Sequence, residues 1–314
     1  MKTSPAVTVL RSFSRRTALL YISVRRLCTA NDPSFISRCL LEAAPTSHAS
    51  RGGKQFCIIT RHCAVIKSIK NNNYKGKQMN NARELLKEAL SKEGKTVIKL
   101  LGDSITHGVG GTGFVQNGVH IVNEYSRNPD GYCWANLFKK YMEKKYNCEV
   151  LNNACTGTRI EFVLDHLDTL VSPEDDLVIC TIGTNNRHQY FKDGPMVTPE
   201  EKREAFYKRV IELVGALRER GKRFILVANI PASPAAEKSG ADFWRIIHMN
   251  DINDIYRRAE AELDFSFISM YELFSEYLTE SGTPITELLG DGLHPNDRGY
   301  EVMFKLMGEA LGIV

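Results

Sequence analysis

No apolar run in these 314 residues is long enough to cross a bilayer, so the chain reads as having no membrane span. Cysteine pairs with metal-ligand spacing are also missing. Cys133, Cys148, Cys155 and Cys180 fall singly in helix- and strand-like segments, and Cys57, His62 and Cys63 match no standard zinc pattern. Buried thiols in a reducing compartment are expected, with neither disulfides nor a bound metal. The chain has no Gly-x-Ser-x-Gly elbow and no Walker lysine, which removes the α/β-hydrolase and P-loop readings. It has no internal repeat.

Acids are scarce in one region only. Residues 1–78 hold 14 Lys and Arg against two acids, Asp32 and Glu42, while 79–314 hold 27 basic and 35 acidic residues. The overall charge of +4 averages two opposite regions and gives no ground for a nucleic-acid partner. An Arg- and Ser-rich, acid-poor leader resembles an organellar transit peptide. Leu19 to Val24 is too short and too soon broken by Arg25-Arg26 for a secretory signal. We favour a different reading, in which Met79 is the true start and 1–78 is translated leader outside the mature protein. A cytoplasmic location follows, or an organellar one if the leader is real.

Residues 79–314 suffice for one α/β domain. Helix-like segments are expected at 80–91, 132–146, 159–171, 198–220, 241–263 and 297–311. Strand-like runs alternate with them at 96–101, 149–152, 177–182, 224–230 and 265–270. The helix at 198 carries a start signal, Thr198-Pro199-Glu200-Glu201. Without a hairpin signal, this alternation predicts a five-stranded parallel sheet covered on both faces.

Polar loops leave the ends of these strands. Gly102-Asp103-Ser104-Ile105-Thr106 follows the first, Asn152-Asn153-Ala154-Cys155-Thr156-Gly157 the second, and Gly183-Thr184-Asn185-Asn186 the third; Asp291-Gly292-Leu293-His294 precedes the last helix. In a doubly wound sheet the first three converge at one edge. A serine hydroxyl becomes a nucleophile when an imidazole takes its proton, and an acid orients that imidazole. Ser104, His294 and Asp291 supply the three groups. His107 competes as base only by sequence proximity and reads as a solvated loop residue. Gly108 to Gly113 spells Gly-x-Gly-x-x-Gly, but no helix opens there, so it is no dinucleotide fingerprint.

The four segments, in this order, resemble those of GDSL-type (SGNH) serine hydrolases, over about 96–312. The resemblance implies a flavodoxin-like three-layer αβα sandwich and an esterase that needs no cofactor. It implies Ser104 as nucleophile, His294 as base, Asp291 as its orienting acid, and an oxyanion hole from the backbone N–H groups of Ser104 and Gly157 with the Asn185 amide. Asn186 departs from the family's usual aspartate, a structural anchor whose place an amide can take. Asp103, His107, Asn186, His188 and Trp244 are candidates for the substrate pocket. The expected partner is a small acyl ester, such as an O-acetyl group on carbohydrate. A lysophospholipase or acyl thioesterase is the alternative within the class, and a catalytically silent carbohydrate- or acyl-binding module the alternative outside it. The oligomeric state stays open.

Overall fold

A computed structural model describes residues 81–115, 130–238 and 240–314. The basic leader, the proposed start at Met79 and the Cys57–Cys63 cluster lie outside the described residues.

The chain is helical over 81–90 (α1), where Ala82, Leu86 and Ala89 recur at helical spacing and are buried. Strand β1 (Thr96–Gly102) follows and runs into a one-turn helix, α2 (Ser104–His107). Next come α3 (Trp134–Lys145), β2 (Cys148–Asn152), α4 (Ile160–Asp165), α5 (Leu167–Leu170) and β3 (Leu177–Thr181). A 3-10 turn, Thr184–Arg187, leads to the short strand β4 (His188–Tyr190). The rest is α6 (Pro199–Glu219), β5 (Arg223–Ala228), β6 (Phe243–Arg245), α7 (Met249–Leu263), β7 (Ser266–Ser269), α8 (Met270–Ser281) and α9 (Asp297–Leu311).

Five strands form one parallel sheet in the order β2-β1-β3-β5-β7. The side-chain period of two sends alternate residues to opposite faces. Ile98, Leu100, Leu177, Ile179, Ile225 and Val227 pack under α1, α3, α8 and α9. Leu101, Val178, Cys180, Phe224, Leu226 and Phe267 pack under α4 to α7. The three-layer αβα arrangement is therefore built by the strands' own alternation. From β1 the chain steps first to β2 on one side and later to β3 on the other. That reversal sets the switch point at the carboxyl ends of β1 and β3, where such sheets bind ligands.

Three sequence expectations need correction. The helix expected over 241–263 begins only at Met249, because Phe243–Arg245 pairs antiparallel with β4, His188 opposite Arg245 and Tyr190 opposite Phe243. Aromatic and β-branched side chains in Phe243 to Ile247 suit a strand as well as a helix, and pairing decided. The helix expected over 159–171 breaks at His166, which leaves helical backbone (φ −119°, ψ 17°). Its ring Nδ1 lies 2.9 Å from the Phe162 carbonyl. Finally, β7 stops at Ser269, whose hydroxyl accepts from Glu272 N at 3.2 Å and starts α8, a helix the apolar run through Met270 hid. By contrast, Thr198 and Glu201 form the reciprocal cap their sequence predicts. Among the described residues no helix is long and apolar enough to cross a membrane.

Candidate active site

Ser104 opens α2 directly off β1, so its hydroxyl stands at the rim of the sheet. Gly102 makes this turn possible: a Cβ there would lie 2.7 Å from Thr106 Cβ and 2.9 Å from the Thr181 carbonyl. Asp103 caps the turn, its Oδ1 accepting from Ile105 N at 3.1 Å.

His294 reaches this rim from 190 residues away. Its Nε2 lies 2.8 Å from Ser104 Oγ, and its Nδ1 2.7 Å from Asp291 Oδ2. Both contacts have a donor when the ring proton sits on Nδ1, so that Nδ1–H donates to Asp291 and the Ser104 hydroxyl donates to Nε2. Asp291 Oδ1 also accepts from Leu293 N at 2.9 Å and His294 N at 2.8 Å. Partial burial raises the Asp291 pKa, but the bonds from His294 and Leu293 outweigh it and hold the carboxyl below its ordinary value. The result is an ionised acid, an oriented imidazole and a hydroxyl with its proton acceptor in place.

The other loops are tied to the same rim. Asn153 N donates to the Leu100 carbonyl at 2.9 Å and Cys155 N to the Gly102 carbonyl at 3.1 Å, which extends the β2 side along β1. Gly157 follows with φ +76°, a conformation glycine adopts without strain. On the β3 side, Asn185 Nδ2 donates to the Thr158 carbonyl at 3.0 Å and leaves its second N–H for another acceptor. Asn186 is buried beside it; its Oδ1 accepts from Ile160 N at 3.0 Å and its Nδ2 donates to Glu161 Oε2 at 2.8 Å. It clamps the Gly157 loop and the Asn185 loop together.

Four of the five pocket candidates are buried side chains. Asp103 is fully buried and receives Asn229 Nδ2 at 3.0 Å; burial raises its pKa, against hydrogen bonds from Thr184 and Ile105 N. His107 is no solvated loop residue. It is buried, with Nδ1 2.9 Å from the Ala154 carbonyl and its ring edge-on to Phe114, and burial lowers its pKa. His188 is buried between Tyr190 and Phe243. Its burial, with Arg159, Arg245, Arg187 and Lys202 around it, depresses its pKa to about 3, so the ring is neutral. Trp244 is half-buried on the other face of the β4–β6 ribbon, against Phe191. Thus Asp103, His107, Asn186 and His188 are interior side chains, and Trp244 alone of the five is partly exposed.

Sequence reading missed Asn229, whose Nδ2 also donates to Thr184 Oγ1 at 2.7 Å and so joins the ends of β1, β3 and β5. The available signal was a polar residue just beyond the carboxyl end of an apolar strand. Among the described residues no group of three or more His, Cys, Asp or Glu side chains is arranged to hold a metal. Cys133 and Cys180 are free thiols that burial raises to about 11 and about 12, which makes them poor nucleophiles.

A family model described as GDSL-like lipase/acylhydrolase matches residues 100–302. Among solved structures, LAE5, an α/β hydrolase enzyme from the metagenome of Lake Arreo, Spain, is similar at 20% identity and TM-score 0.53, over 71% of this chain and 98% of its own. Axe2, an acetylxylan esterase from Geobacillus stearothermophilus, is similar at 17% identity and TM-score 0.52, over 70% and 95%. Catalytic mutants of Axe2 replace a serine, and an aspartate and histidine three residues apart. At these identities the likeness is one of fold. No protein of curated function matches the sequence.

Proposed function

We propose, for a chain that belongs to the GDSL-like lipase/acylhydrolase family and is a carboxylic ester hydrolase, that Ser104 is the nucleophile and that small acyl esters of carbohydrate are its substrates. The observation that carries the catalytic half is the unbroken hydrogen-bond chain from Ser104 through His294 to Asp291.

Ser104 Oγ bonds to the ester carbon as its proton passes to His294 Nε2, and Asp291 stabilises the imidazolium that forms. The carbonyl oxygen becomes an oxyanion facing the N–H groups of Ser104 and Gly157 and the Asn185 amide. Each such donor is worth on the order of 10²–10³ in rate. The ester C–O bond then breaks as His294 returns the proton to the departing alcohol, leaving an acyl-Ser104. Water repeats the sequence and releases the acid.

The carbohydrate half is supported by the polar loops around Ser104 and by the fold shared with an acetylxylan esterase. Nitrophenyl acetate and octanoate test both halves. Acetate should be the better substrate, and Ser104→Ala or His294→Ala should each lower kcat/KM by on the order of 10⁴ or more without unfolding the protein. An octanoate preference would favour a lysophospholipase or thioesterase. Wild-type rates in either variant would refute the assignment, and binding without turnover would make the chain a silent module.

A further inference from the structure

Just beyond the two oxyanion loops the chain gathers positive charge that the reaction at Ser104 does not use. Arg159 stands two residues past Gly157, at most about 7 Å of chain. It is half-buried, with its guanidinium carbon 4.9 Å from the Tyr190 ring centroid and its Nη2 buried without a hydrogen-bond partner among the described residues. Lys202 comes in from the first turn of α6. Burial first, and then the Arg159 charge, hold its ammonium below the ordinary lysine range.

The β4–β6 ribbon completes the cluster. His188 and Arg245 face each other across it, and so do Tyr190 and Phe243. The Arg245 guanidinium lies 4.9 Å from the Phe243 centroid. His188, 5% exposed, has an Nδ1 with no partner among the described residues. Beneath it Arg187 is buried and paired with Glu237 at 2.9 Å.

Two acids, Glu161 and Asp193, also act by charge on Lys202, and each accepts a neutral N–H as well. Glu161 accepts from Asn186, Asp193 from Tyr190 N, and Glu237 from Arg187 and the His248 ring. Arg159 has no bonded acid among the described residues and its charge is felt by Lys202, and a buried guanidinium donor without an acceptor is unfavourable. The Arg159 guanidinium lies over the Tyr190 ring with Nη2 still lacking an acceptor among the described residues, and a guanidinium fork is suited to a carboxylate.

We infer that Arg159 and Lys202, backed by the His188–Arg245 ribbon, recognise a carboxylate that the ester substrate carries a few atoms from its scissile carbonyl. This rests on Ser104 being the nucleophile. The carboxylate belongs either to the acyl part or to the alcohol part, and paired esters separate the two. Nitrophenyl hemisuccinate against nitrophenyl butyrate probes the acyl side; an acetylated methyl glucuronoside against the acetylated methyl glucoside probes the alcohol side.

In one pair the wild-type protein should prefer the anionic member by about tenfold or more in kcat/KM at low salt. Added salt should erode that preference. Arg159→Gln should reduce it by about tenfold, mainly through KM, with Lys202→Gln acting in the same direction and Arg159→Lys retaining part of it. Hydrolysis of the neutral esters with no anionic preference in either pair would overturn this inference alone. So would a preference that survives Arg159→Gln. No turnover of any of the four esters would overturn the Ser104 reading and this inference with it.

Discussion

Asn186 shows how one side chain can fit a site by having two different edges. Its carbonyl oxygen takes the Ile160 N–H and its amide nitrogen meets Glu161. An aspartate would keep the first bond but set two carboxylates about 2.8 Å apart, a distance at which both cannot stay ionised without cost. Asn186→Asp should therefore lower kcat/KM by about tenfold at neutral pH. The deficit relative to wild type should shrink toward acid pH, where the pair can share a proton. Adding Glu161→Gln should restore activity by returning a donor. A pH profile of kcat/KM for the three proteins checks this; an Asn186→Asp variant at the wild-type rate throughout would show the clamp idle. His188 gives a second test at this scale. Its folded pKa of about 3 lies below the unfolded value of about 6.5, so between these limits the unfolded chain binds a proton that the folded chain does not. That contribution is fully present above pH about 6.5 and is lost as pH falls toward 3, by up to about 1.4 kcal/mol per unit. Denaturant unfolding of wild type and His188→Gln across this window should show the wild type losing stability more steeply. Parallel curves would contradict it.

The segment at 291–294, which carries the proposed base and its orienting acid, depends on how a loop is braced. Gly292 has φ +87°, and a Cβ there would approach Ser233 Oγ to 2.5 Å, while Ser233 N donates to the Gly292 carbonyl at 2.8 Å. Gly292→Ala should shift Asp291 and His294 together and lower kcat by about tenfold or more with little change in KM. An unchanged kcat would show that the brace does not position the base. Elements of this molecule were legible where local chemistry marks their ends. Thr198-Pro199-Glu200-Glu201 announces α6, and Asn296 accepts from Gly299 N to start α9 at the expected Asp297. They were obscured where tertiary pairing chose between two allowed states, as in β6, or where one apolar run served a strand and then a helix, as at Ser269-Met270. The first choice is not local; the second had a local mark, Ser269 three residues before Glu272, which the apolar run masked.

For the whole molecule, the αβα order was readable because buried parallel strands and amphipathic helices differ in length and period. The strand order β2-β1-β3-β5-β7 then accounts for the site: Ser104 and Asn185 flank the reversal point, and His294 arrives from the last loop. The groups proposed to react were legible because nucleophilic catalysis needs those residue types. Asn229, Glu161 and Arg187 were not, since their roles come from approach in space between distant segments. The central claim is that the molecule forms one acyl-enzyme, at Ser104. Its most direct measurement is peptide-resolved mass spectrometry after reaction with a fluorophosphonate, which traps an activated serine by losing fluoride. One adduct on Ser104, suppressed in His294→Ala, is the predicted result. Esterase activity that persists with Ser104 unlabelled, or an adduct on another residue that abolishes activity, would contradict it.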